Sequence, residues 1–64
     1  MFEFKASDIK VGDVFTVDQG MSWWRAVRVE VRDCGDKVWI EATGVYNGAI
    51  SSEVYDADDK FTVK

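Results

Sequence analysis

The chain has no histidine, no proline and one cysteine. Without His it lacks the commonest general base and the commonest metal ligand. One thiol makes neither an internal disulfide nor a thiolate zinc site, and a Cys nucleophile has no His partner. No apolar run approaches the roughly 18 residues of a membrane span. The opening MFEFKASD carries Glu3 and Asp8 and is not a secretory signal. The expectation is a cytoplasmic protein without membrane contact, in which Cys34 stays reduced. Basic residues are also scarce. Eight Lys and Arg against 12 Asp and Glu leave a net charge of −4, with a pI near 4.5. That balance disfavours unspecific binding to nucleic acid, which needs a basic face. From 64 residues the expectation is one domain, 1–64, with a marginal core and no linker, repeat or tail.

What is present is a hydrophobic fraction of 47% with 14% aromatics, enough for a folded globule. No segment shows helical periodicity, and period-2 alternation dominates. In 23–32, Val27, Val29 and Val31 share one face and Arg28, Glu30 and Arg32 the other. In 37–43, Val38, Ile40 and Ala42 alternate with Trp39, Glu41 and Thr43. Turn compositions separate the runs. The expected strands are 13–17, 23–32, 37–45, 50–55 and 61–64, with Phe2-Glu3-Phe4 as a candidate extra edge. Asp56–Lys60 is expected to be a short turn, with one 3₁₀ turn before the last strand.

Side-chain parity fixes the expected registers, because a one-residue slip moves every side chain to the other face. A turn at Cys34-Gly35 pairs Val31 with Val38, Val29 with Ile40 and Val27 with Ala42. Arg28 then faces Glu41. At Asn47-Gly48 a two-residue loop would leave Ile50 and Val54 facing solvent. A three-residue loop, Tyr46-Asn47-Gly48, instead pairs Gly44 with Ile50, Ala42 with Ser52 and Ile40 with Val54. A bulge at Gly44 competes with it.

Five short strands in this order resemble an SH3-like small β-barrel. The features that carry the resemblance are Val11-Gly12-Asp13-Val14-Phe15, the loop 18–22, the meander 23–55 and the acidic turn 56–60. There is no ALYDY-like segment, and no Gly-rich basic first hairpin of the KOW type. A Gly-Asp strand opening followed by Trp-rich valine strands also resembles small bacteriophage proteins, those of actinobacterial phages especially. That resemblance implies a host-cytoplasmic accessory protein. A fold of this kind does not specify a function.

The chemistry left open is narrow. Asp56-Ala57-Asp58-Asp59 lacks the Gly and late Glu of a calcium loop, so no metal is expected. Val11-Gly12-Asp13 lacks the second Gly and the Lys of a phosphate loop. Glu41 and Glu53 are expected on one open face with no deep pocket, so neither an enzyme nor a cofactor is expected. The acidic stretch 53–59 is either a solvated edge or a phosphate mimic. Trp23 has inward parity and reads as core.

The expected binding surface is Trp24, Arg28, Arg32, Trp39 and Tyr55. Trp39 projects outward, opposite Glu30 and Tyr55. These residue types anchor protein interfaces. Cross-strand stacking to stabilise the sheet, and cover from Phe2 and Phe4, are competing uses. The favoured function is a non-catalytic module that binds another protein or itself. The alternatives are a structural, oligomer-forming protein and a nucleic-acid binder in which Arg25, Arg28, Arg32 and Lys37 meet the backbone.

Overall fold

Alternating runs of Val, Ile, Thr and Trp without proline favour extended backbone. The computed structural model describes residues 2–64 and is all-β apart from two short 3₁₀ turns. Its strands are β1 (Phe2–Lys5), β2 (Val14–Thr16), β3 (Trp24–Arg32), β4 (Lys37–Gly44), β5 (Ile50–Asp56) and β6 (Lys60–Val63). They form one six-stranded antiparallel sheet in the order β1-β6-β2-β3-β4-β5. The five expected strands are all present, with ends within one residue of the expected ones.

Three expectations need correction. First, β1 is a sixth strand, and β1 and β5 share no ladder among the described residues. The sheet is therefore open, not a closed five-stranded barrel. Second, the 3₁₀ turns lie at Ala6–Asp8 and Asp33–Gly35, not before the last strand. Residues 56–59 form a simple turn in which the Asp59 N–H donates to the Asp56 carbonyl at 3.0 Å. The Asp59 carboxylate closes it by accepting from the Asp56 N–H at 3.1 Å, which leaves no need for a helical turn. Third, Phe2 pairs with Val63 and Phe4 with Phe61, on the core face. Neither ring covers Trp39.

The sheet curls about a small aromatic centre. Phe15 stacks on Phe61 with ring centroids 5.3 Å apart, and Tyr55 meets Phe61 edge-on at 4.8 Å. Tyr55 on β5 thus touches β6 across the concave face, although the two strands do not pair. Val38 and Ile40 fill the middle, and Ala6, Ala26 and Ala42 allow the close approach of neighbouring backbone.

The first hairpin has the expected parity at its tip. Val31 pairs with Val38, Val29 with Ile40 and Arg28 with Glu41. A bulge then intervenes, and Ala42 faces Ala26 instead of Val27. The cause lies on the other side of β3. The Ala26 N–H donates to the Asp13 carbonyl at 2.9 Å, and the Ala26 carbonyl accepts from the Gly12 N–H at 2.8 Å. Those bonds hold Ala26 in phase with the incoming chain, and Val27 absorbs the mismatch as the extra residue. Parity inverts below the bulge. Trp24 joins the core face and packs against the core cluster, while Trp23 precedes the strand and lies outside that cluster. Trp24 thus takes the inward orientation expected of Trp23.

The second hairpin has slipped by one residue from the expected register. Thr43 pairs with Ile50, Ile40 with Glu53, Trp39 with Val54 and Val38 with Tyr55. The Gly44 N–H donates to the Ala49 carbonyl at 2.7 Å and closes the loop 45–48. Asn47 folds back to accept from the Ala49 N–H at 3.0 Å, and a Cβ at Gly44 would collide with its Oδ1. Ile50 and Val54 are left exposed, at 75% and 50%. The slip brings Tyr55 to the core instead. One aromatic ring buries more area than either aliphatic at an edge, so its burial decides the register.

Candidate functional site

The expected surface divides between the two faces of the sheet. Arg28, Arg32 and Trp39 lie on the convex face. Trp24 and Tyr55 lie on the concave face, because the bulge moves one and the register slip moves the other. Trp39 is outward as expected, but its neighbour on β5 is Val54. Glu41 and Glu53 are likewise on opposite faces, since Glu41 pairs with Ser52 and Glu53 with Ile40.

The convex face is knitted by its own side chains. The Trp39 Nε1–H donates to Ser52 Oγ at 2.8 Å. The Arg32 guanidinium lies 5.3 Å from the Trp39 ring centroid and bonds Glu30 Oε2 at 3.3 Å. Lys37 pairs with Asp56, whose carboxylate raises the Lys37 pKa, first through their hydrogen bond. The acidic turn is occupied in the same way. Asp58 approaches Lys5 at 3.8 Å, and Asp59 is bonded to the Asp56 backbone. Trp23 lies under the Lys64 ammonium, 4.8 Å from its ring.

The concave face carries a cleft of about 230 Å³. Trp24 from β3 and Tyr55 from β5, both half-buried, line it with Phe15, Ile40 and Ala42 at its floor. Asp18, Ser22, Ser51 and Glu53 supply its polar rim. Asp18 is held by a built loop. Thr16 is 2% exposed, and its hydroxyl donates to Asp18 Oδ1 at 2.7 Å while accepting from the Gly20 N–H at 2.9 Å. The Ser22 N–H donates to the same Asp18 oxygen at 2.9 Å. These bonds, the Thr16 hydroxyl first, hold the Asp18 carboxyl below its ordinary pKa. Burial, and then the charges of Glu53 and Asp59, raise the Tyr55 phenol. At neutral pH the cleft therefore presents a carboxylate, an O–H donor and two aromatic walls.

No family model matches the chain, and no curated protein matches it.

The residues that sequence reasoning missed are Asp18 and the concave position of Glu53. Thr16-x-Asp18 has the spacing of a hydroxyl–carboxylate turn, a local signal available in the sequence. Nothing in the sequence marks Glu53, because its face depends on the register of the second hairpin.

Proposed function

We propose that the chain is a non-catalytic protein-binding module whose concave cleft takes a cationic side chain from an extended segment of its partner. The carrying observation is the convergence of Trp24 and Tyr55 with Asp18 and Glu53 around one opening. Aromatic walls stack on a guanidinium or ammonium group, and the carboxylates complement its charge. The cleft volume of about 230 Å³ lies below the roughly 300–1,000 Å³ of small-molecule sites, which supports a single side chain as its occupant. The chain's net charge of −4 favours a basic partner.

The nucleic-acid alternative draws on the convex face, where Arg32 and Lys37 are each engaged by a carboxylate. Those pairs lessen its basic character and favour the first reading. The last strand β6, returning to pair with β2 ahead of the meander, supports an SH3-like reading of the fold. On the resemblance to bacteriophage proteins, a host factor is the class of partner to seek.

The test is selection of binders from a random peptide library, followed by amide and indole NMR titration. The expected peptides carry Lys or Arg at one fixed position, shift the Trp24 indole signal and lose binding to Glu53→Lys. Selected peptides without a basic residue, or equal binding to Glu53→Lys, would sink the proposal.

A further inference from the structure

The strand β5 ends the sheet with an unblocked edge. Its phase is fixed at both ends. Gly44 donates to the Ala49 carbonyl at 2.7 Å, and Ala57 to the Asp36 carbonyl at 2.9 Å. Antiparallel pairing alternates residue by residue, so 51, 53 and 55 turn their backbone groups toward β4. Ile50, Ser52 and Val54 turn theirs outward. Among the described residues, no turn, loop or cap bond uses those three. The next outward donor, the Asp56 N–H, is closed by Asp59. The free edge is thus a defined stretch.

The opposite edge is different. The strand β1 is four residues long. Its outward positions Glu3 and Lys5 are charged and approach Lys60 and Asp58 at 3.7 and 3.8 Å. Charged side chains on short edges block further pairing. In contrast, β5 presents Ile50 and Val54, 75% and 50% exposed, and its segment 49–55 carries one charge, Glu53.

We propose that β5 pairs antiparallel with β5 of a second copy, about a two-fold axis at Ser52. Only registers that match outward residues with outward residues satisfy the free groups. Centred on Ser52, Ile50 faces Val54 of the second copy on the convex side, and Val54 faces its Ile50. Three hydrogen-bonded pairs give about six N–H···O bonds. On the concave side Glu53 faces Ser51 of the second copy. Centred on Glu53, two carboxylates would meet and Ile50 would face Asp56. Centred on Ser51, Val54 would face Gly48 and its aliphatic contact would be lost. The sequence is self-complementary in one register, as an isologous interface requires. Ser51 and Glu53 also line the cleft. Pairing therefore joins the two clefts across the axis, where each copy completes the other's rim. That consequence rests on the proposed function; the pairing does not, and it is measured without ligand.

The test is sedimentation equilibrium of the full chain from micromolar to millimolar concentration. A monomer–dimer equilibrium is expected. Ile50→Lys enters the interface twice and should raise the dissociation constant about tenfold or more. The register is read by cysteine crosslinking in a Cys34→Ser background. Residues self-paired at the axis have Cα atoms about 5.5 Å apart, within disulfide range. Ser52→Cys should oxidise to a linked dimer. Ile50→Cys should not link to itself but should link to Val54→Cys in a mixture. A monomer at every concentration, an Ile50→Lys dimer as tight as wild type, or self-linking Ile50→Cys would overturn the proposal.

Discussion

Val31 and Val38 face each other across the first hairpin on the same side of the sheet, yet their exposures are 64% and 0%. They offer a test of where the core ends. Truncating either to Ala removes the same methyl groups. At Val38 the loss is transfer free energy, about 0.8 kcal/mol per carbon, plus a cavity that β4 and its neighbours cannot fill, for a total of about 2–3 kcal/mol. At Val31 solvent already reaches most of the side chain and no cavity forms, so the loss is within about 0.5 kcal/mol. Typical stabilities of ~0.05–0.15 kcal/mol per residue imply ~3–10 kcal/mol for a chain of 64 residues. Val38→Ala therefore removes a large share of the total. Urea denaturation at low micromolar concentration, where self-pairing contributes least, gives both values from the midpoint at constant slope. In thermal melts Val38→Ala should lower Tm by about 10 °C or more, and Val31→Ala by a few degrees at most. Equal losses at the two positions would refute the reasoning. They would mean that the core extends to the hairpin tip.

Two further outcomes follow from the bulge and the loop. Deleting Val27 makes the β3–β4 ladder continuous, with Ala26 still opposite Ala42 and Arg28 opposite Glu41. The shortened chain should keep the native NMR fingerprint at a cost of about 1–2 kcal/mol for the lost local twist, and an unfolded spectrum would contradict the assignment of the bulge. Asp18 is held below its ordinary pKa of 3.8 by the Thr16 hydroxyl and the Ser22 N–H. A lowered pKa favours the folded state above the ordinary value, and the benefit is lost as pH falls through the lowered one. Urea midpoints followed down through pH 4 should therefore drop less steeply for Asp18→Asn than for wild type. Parallel slopes would show that the Thr16–Asp18 contact does not act through this ionisation.

The strands were legible in the sequence because alternation is a local property. Their ends agree within one residue, and the tip of the first hairpin has the expected pairing. The faces were less legible, because each depends on a single irregularity that sets the parity of everything beyond it. The bonds from Gly12 and Asp13 to Ala26 are tertiary, and nothing within 23–32 announces that Val27 is surplus. One extra residue there moves Trp24 from the convex face to the concave one. In the second hairpin, the local signal favoured burying Ile50 and Val54, whereas the contact of Tyr55 with Phe61 favours the opposite parity. Both misplacements involve aromatics whose partners are far away in sequence. Trp39, Arg28 and Arg32 lie between these two irregularities, and their placement on the convex face was legible. The cleft exists because both irregularities turn an aromatic inward. A regular meander with the expected registers would have placed Trp24, Trp39 and Tyr55 on one outer face, with Glu53 beside them, and taken both Trp24 and Tyr55 off the concave side. The bulge at Val27 and the slip after Gly44 therefore create the site, and restoring either expected register should abolish the cleft while leaving the strands in place.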